Sequence, residues 1–488
     1  MIDGLKPYPA YKDSGVAWLG QVPQHWEVRR LRTIVELRVS NVDKHSKEDE
    51  QPVRLCNYVH VYKHERIRTN MDFMKATASP EEIERFRLEQ GDVLITKDSE
   101  AWDDIGVPAL VESSAPDLIS GYHLALLRPS HVVEGAFLLR ALQSPQVAYQ
   151  FHVEATGVTR YGLSHDAIKS ALVPFPPLPE QTAIVRFLDY MDRRIRRFIR
   201  AKQKLIKLLE EYRQALIHQA VTGKIDVRTG KPYPAYKDSG VRWLGQVPAH
   251  WDVVPLKRLA WFKSGAGFPV HYQGETSAAI PFFKVSDMNI PGNEKYLHVC
   301  ANTVSMAVAQ DLGATVLPAG TIVFPKVGGA LLTNKRRIAA NQCCIDNNMM
   351  GCVVRKGNRD FLFLIMSYID LGQIAKPGPV PAISEGEVRE IRVALPSAPE
   401  QTAIVEYLDA EAAKLDTAIA AARREIELLR EYRERLIADV VTGKVDVRGV
   451  AAQLPDEPAE EEAGTEEEEP VAEELATADS QEEANGEE

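Results

Sequence analysis

The chain has 488 residues, 45% hydrophobic, 26% charged and 7% aromatic, a composition of soluble proteins at a length that suits two to four folding units. Its longest apolar run, residues 361–369, is about half the ~20 residues of a membrane helix, and no basic-then-apolar signal opens the sequence, so a cytoplasmic protein without membrane contact is expected. The net charge of −11 conceals a division: residues 450–488 hold sixteen acidic and no basic residues, leaving a body with 58 basic against 53 acidic groups, mildly basic with an acidic tail expected to be disordered.

Residues 1–26 form an arm whose stretch PYPAYKDSGVAWLGQVPQHW, at 7–26, returns at 232–251 with eighteen of twenty positions unchanged. This repetition governs the whole reading. Residues 27–175 are a first variable domain of mixed strands and helix. Within it YVHVYKHER, at 58–66, reads either as a nucleic-acid surface offering Lys63 and Arg66 or as an amphipathic strand. LEQGDVLITK, at 88–97, has the pattern of a buried strand after a glycine turn. It leads into a loop carrying Lys97, Asp98, Ser99 and Trp102. HVVEGAFLLRALQS predicts a turn and a buried helix, and ATGVTRYGLSH, at 155–165, a glycine-containing loop with Arg160 and Tyr161.

Residues 176–223 predict a long helix. Pro179 and Glu180 suit its first turn and Gly223 its left-handed end. Its apolar seam runs Ile184, Leu188, Met191, Ile195, Phe198, Lys202, Leu205, Leu209, Tyr212, Leu216, a heptad spacing interrupted at Lys202. The run RRIRRFIR, at 193–200, coats this helix or meets an acidic partner. A linker and the second arm, 224–251, lead to a second variable domain, 252–395, unlike the first in sequence. LPAGTIVFPK, at 317–326, matches the earlier buried strand and ends in Lys326. Basic and amide residues that could hold phosphates or read base edges here are Lys284, Lys326, Asn334, Lys335, Arg336, Arg337 and Lys376. For any single residue a solvated loop side chain is the plainer reading, while for the cluster LTNKRR, at 332–337, the two readings stand level.

Residues 396–443 repeat the long helix, with Ser397 and Glu400 at capping-box spacing and Gly443 at its end. Its seam is Ile404, Leu408, Glu411, Leu415, Ala418, Ala422, Glu425, Leu429, Tyr432, Leu436, widened by Ile419 and Ile426. Residues 186–207 carry nine basic and two acidic groups, residues 406–427 three and six, so each helix is the natural partner of the other. Connectivity favours an antiparallel pair. It also predicts that the first arm, which has no helix before it, docks near residues 440–449, closing a pseudo-circular, pseudo-two-fold molecule. The fold class is thus α+β, two variable domains separated by a pair of long antiparallel coiled-coil helices. No phosphate loop, nucleophile elbow, HExxH or spaced His/Cys set occurs. No catalytic or metal-binding residue is therefore assigned, and the five cysteines read as reduced thiols.

The paired PEQTAIVxxLD helix starts at 179–189 and 399–409, the paired LxEYRxxLIxxxVTGKxDVR ends and the two SGVxWLGQVPxHW arms together resemble the specificity subunits of type I restriction-modification systems, over nearly all of residues 1–449. The resemblance implies two target recognition domains, each reading half of a split double-stranded DNA site. It implies that the conserved helices also bind methyltransferase subunits, two of them expected, and that a restriction-translocase subunit joins for cleavage. S-adenosylmethionine, ATP and Mg are then expected on those partners, with no cofactor on this chain. The alternative is a two-headed adaptor that binds proteins through the same scaffold.

Overall fold

The computed structural model describes residues 5–43, 46–375 and 380–455; the tail expected to be disordered from 450 instead begins inside the helix Arg448–Gln453, and beyond 455 it lies outside the described residues. These divide into two compact units, one made of residues up to Ala201 with those from Glu425 onward, the other of Lys202–Arg424. The repeat is visible in each. Unit 1 holds a five-stranded sheet in the order Val35–Val39, Leu124–Pro129, Val93–Thr96, Pro108–Val111, Arg66–Ile67, antiparallel except for its last pair. Unit 2 repeats it as Ala260–Ser264, Met349–Val354, Ile322–Pro325, Arg337–Ala339, Tyr296–Leu297, again parallel only in its last pair. The strands Val93–Thr96 and Ile322–Pro325 are buried throughout, as continuous apolar runs covered on both faces should be. The buried helices Gly135–Gln143 and Arg359–Tyr368 pack behind these sheets.

Each variable segment is closed at its neck by a two-stranded pairing. Glu27 lies opposite Phe175 in one unit and Asp252 opposite Leu395 in the other. Just beyond the necks start two helices of 44 residues, Leu178–Val221 and Ala398–Val441. They run antiparallel within each unit: Asp192 of the first bonds Arg433 of the second in unit 1, and Glu210 lies 3.7 Å from Arg423 in unit 2.

The seam differs from the heptad expectation. Ile184, Leu188, Met191, Ile195 and Leu216 are buried, but Phe198, Leu205 and Tyr212 are 52%, 40% and 52% exposed. Lys202 and Leu209 are half-buried as expected, and partial burial otherwise falls one residue later, on Ile199, Ile206 and Arg213, with Ala220 buried beyond Leu216. From Ile184 to Leu216 the expected and the observed stripes take the same nine steps and differ by one residue at three of them. The second helix repeats the shift. Ile404, Leu408, Leu415, Ile419, Ala422, Ile426 and Leu436 are buried, Leu429 half-buried and Tyr432 exposed. Phe198, Leu205 and Tyr212 each stand one residue before the half-buried position and miss the seam, while Lys202 and Leu209 between them keep to it.

Both helices end at a glycine with positive φ, Gly223 and Gly443, and a Cβ at either would collide with the ring of Pro248 or Pro23 of an arm. The expected docking of the first arm is present: Asp446 N donates to Lys6 O at 2.8 Å and Tyr11 Oη to Lys444 O at 3.3 Å. In unit 2 the same junction is built from one continuous segment, where Asp226 N donates to Lys231 O at 2.8 Å and Tyr236 Oη to Lys224 O at 3.3 Å. Buried Glu180 and Glu400 anchor the two junctions, accepting from Tyr8 and from Tyr233 respectively, with His25 at 2.8 Å and His250 at 2.9 Å.

Candidate nucleic-acid interface

In unit 1 the buried strand Val93–Thr96 delivers Lys97 to the rim of the sheet. Lys97 N donates to His123 O, and Leu163 N to Lys97 O, both at 2.9 Å. The short strand Asp98–Ser99 then pairs with Tyr161–Gly162, whose hairpin partner is Thr156–Gly157. Lys97, Ser99, Arg160 and Tyr161, far apart in sequence, therefore meet at one rim. Ser99 is buried and accepts from Ala101 N at 3.3 Å, which makes it a loop anchor. Arg160 and, at the hairpin tip, Val158 are exposed. Trp102 is 47% exposed, edge-on to His152.

A polar chain organises this rim. Asp98 lies 3.1 Å from Lys97 Nζ and 3.0 Å from His123 Nδ1, and Arg160 approaches His123 Nε2 at 3.4 Å. Burial would raise the Asp98 carboxyl, but the His123 hydrogen bond and the Lys97 charge outweigh it and hold the group below its ordinary range. His123 was not legible as a site residue, because it lies on a different strand connection from the loop it steadies. Of the segment 58–66, read either as a nucleic-acid surface or as an amphipathic strand, residues Tyr58–Lys63 form a helix, started where Asn57 N donates to His60 Nδ1 at 3.1 Å. Lys63 is exposed at its end, beside stacked Tyr58 and Tyr62.

Unit 2 repeats the rim with different chemistry. Lys326 N donates to Asn348 O at 2.8 Å and Ile383 N to Lys326 O at 2.9 Å, so Lys326 occupies the backbone position of Lys97. Its Nζ donates to Ser264 Oγ at 2.9 Å, and Lys284 Nζ reaches Gln273 Oε1 at 3.0 Å. The LTNKRR cluster turns largely inward. Asn334 takes a left-handed φ of 54° and accepts from Arg336 at 2.7 Å. Arg336 is buried, donates to Met366 O at 3.1 Å, and has its pKa pulled down to about 10 by desolvation. Arg337 donates to Met288 O at 3.1 Å and Lys335 to Asn289. A guanidinium bonded to carbonyls under the sheet cannot at the same time reach a base edge, so Arg336 is a loop organiser. Lys376 lies outside the described residues.

Arg66 faces the first long helix rather than the rim. It lies 2.9 Å from Asp189 and 3.4 Å from Glu112. Next to it Glu65 is gripped by Arg140 at 2.8 Å, Arg433 at 2.6 Å and Arg196, and by Gln143. Arg140 is 1% exposed and also bonds Asp189 at 2.7 Å. Burial would raise the Glu65 carboxyl, yet the three arginines and Gln143 hold it well below the usual carboxylate range. A lone arginine inside the apolar helix FLLRALQ was the sequence signal for this network. Outside the seam, Leu208 and Tyr212 are 51% and 52% exposed, and their repeats Leu428 and Tyr432 are 46% and 36%.

Among the described residues no group of His, Cys, Asp or Glu could hold a metal ion, and no helix is long and apolar enough to cross a membrane. All five cysteines are free thiols.

The family model of the type I restriction modification DNA specificity domain matches residues 23–208. A putative type I restriction enzyme MjaX specificity subunit of Methanocaldococcus jannaschii is 23% identical over 446 residues, covering 88% of this chain and 96% of the relative. The MjaVIII specificity subunit of the same organism is 21% identical over 346 residues, covering 68% and 75%. A chain from a structure on complex assembly and conformational transition of the type I R-M system shares the fold, with a TM-score of 0.63, 17% identity, and coverage of 86% of this chain and 98% of that one.

Proposed function

We infer that this chain, one of the type I restriction-modification specificity subunits, is a non-catalytic reader of duplex DNA sequence in which each variable domain recognises one half of a split site. The observation that carries this is the duplicated rim: Lys97 and Lys326 hold the same backbone position in two sheets of the same topology, while the side chains around them differ. A common lysine suits phosphate positioning, and the differing neighbours suit different base sequences. In unit 1 the readers are Lys97, Trp102, Arg160 and Tyr161, with Lys63 alongside. In unit 2 they are Lys326 and Lys284, with Lys335 and Arg337 at the margin. Residues 27–175 and 252–395 act as the two recognition domains.

The exposed pairs Leu208/Tyr212 and Leu428/Tyr432 are the docking points for two methyltransferase subunits, one per repeat. A restriction-translocase subunit completes the assembly, and S-adenosylmethionine, ATP and Mg bind to those partners. Selection from a random duplex pool, with the chain assembled on its methyltransferase subunits, tests the reading. The parent should enrich a bipartite sequence. Lys97→Ala should weaken one half and Lys326→Ala the other, each lowering the salt slope by about 1. No enrichment by the parent, or equal loss in both halves from either substitution, would overturn it.

A further inference from the structure

The two units seat their variable domains on the paired helices with opposite charge. The seats can be compared residue by residue, because the backbone fixes the correspondence. Leu110 N donates to Glu65 O, and Ile338 N to Lys295 O, each at 2.9 Å, so Glu65 and Lys295 stand at the same place on equivalent edge strands. Glu134 N and Asn358 N donate at 2.8 Å to Gln181 and Gln401, which are themselves repeats. Six residues on, this pairs Arg140 with Leu364. Along the helices the constant offset of 220 pairs Asp189 with Asp409, Asp192 with Ala412, Arg196 with Asp416, and Arg433 with Arg213.

At the first seat an acid on the domain, Glu65, meets Arg196 and Arg433 on the helices, while Arg140 meets Asp189 at 2.7 Å. At the second seat the domain presents a base: Lys295 Nζ lies 3.5 Å from Asp409, and Asp416 is bonded by Arg213. Two positions have reversed sign together, one on the domain and one on the helix.

We propose that this reversal is a charge code, enforced at the buried first seat, by which the helices favour one order of the two variable domains. Transplanted to the second seat, the first domain sets Glu65 against Asp416, where Arg196 had been, and beside Arg213, the repeat of Arg433. Transplanted to the first seat, the second domain sets Lys295 against Arg196 and Arg433, with Asp189, the repeat of its own partner Asp409, in the same cluster, and Leu364 removes the buried guanidinium of Arg140. At the first seat, where Arg140 is 1% exposed, such a mismatch is strongly destabilising, whereas at the second, where Lys295 and Asp416 are 44% and 65% exposed, it costs little. Where the domains read DNA, as inferred above, the code fixes the order of the half-sites, and a recombined variable segment must carry the residue that matches its seat.

The test is a charge-reversal cycle in the full chain, read by thermal melting and independent of DNA. Glu65→Lys replaces an acid with a base among Arg66, Arg140, Arg196 and Arg433 at the first seat and should lower the melting temperature by about 6 °C or more. Arg196→Asp reverses the imbalance and should also lower it. The double variant is balanced again and should melt well above the sum of the two losses. Losses that simply add would overturn the proposal. In a second arm residues 27–175 and 252–395 are exchanged in the full chain. The exchanged chain should melt below the parent, and Glu65→Lys with Lys295→Glu in the transplanted domains should recover part of the loss. An exchanged chain that melts with the parent, or no recovery, would overturn the charge code while leaving the DNA-reading proposal standing.

Discussion

Gly443→Ala isolates the contact that closes the repeat. Gly443 has φ of 76°, and a Cβ there would run into the ring of Pro23, with Trp26 at 3.1 Å. Two terms therefore add: about 1–2 kcal/mol for an L-residue in left-handed backbone and about 1–3 kcal/mol for overpacking against a buried ring. A loss of about 2–5 kcal/mol should appear in urea denaturation followed by circular dichroism. Gly15→Ala supplies the subtraction, since Gly15 has φ of 73° with nothing within 4 Å of its Cβ and should lose only the backbone term. Gly223→Ala meets Pro248 and Trp251 in the same way, but there the arm is joined to the helix by the linker. Limited proteolysis should accordingly release the first arm in Gly443→Ala and leave the second arm intact in Gly223→Ala. If Gly443→Ala and Gly15→Ala shift the midpoint equally, the docked arm contributes nothing and the closed repeat is wrong.

Acid should weaken the seat of the first domain. The folded Glu65 carboxyl lies below its ordinary 4.5, so as pH falls the unfolded chain takes up the proton first. Its contribution is full above about pH 4.5 and is lost as pH falls toward the folded value. The melting-temperature gap between the parent and Glu65→Gln should therefore narrow from about pH 6 to about pH 4, and a gap that widens would refute the sign. On the outer face of the helices, Tyr212→Ala and Tyr432→Ala should each leave the melting temperature within about 1 °C and weaken assembly with a methyltransferase subunit by about 10-fold or more. Native mass spectrometry should show one copy lost per substitution, and retention of both copies in the double variant would remove these residues from the interface.

Repetition was fully legible in the sequence. Matching arms, PEQTAI helix starts and TGK helix ends stand at nearly constant offsets, and a duplicated sequence duplicates its local structure whatever the fold. The long helices, their glycine ends and the buried strands ending in Lys97 and Lys326 follow from short-range rules, because capping, left-handed glycine and apolar runs act within a few residues. Within the seam, Phe198, Leu205 and Tyr212 did not follow. Which of two adjacent helix positions meets the partner is settled by the mutual packing of the helices. The inward turn of Arg336, the capture of Arg66 by Asp189, the steadying of Asp98 by His123 and the opposed charges of Glu65 and Lys295 were likewise decided only by tertiary structure. A charged side chain looks the same in sequence whether it faces water, DNA or a buried carboxylate. Its role depends on groups tens to hundreds of residues away, which only the folded chain brings within hydrogen-bonding reach.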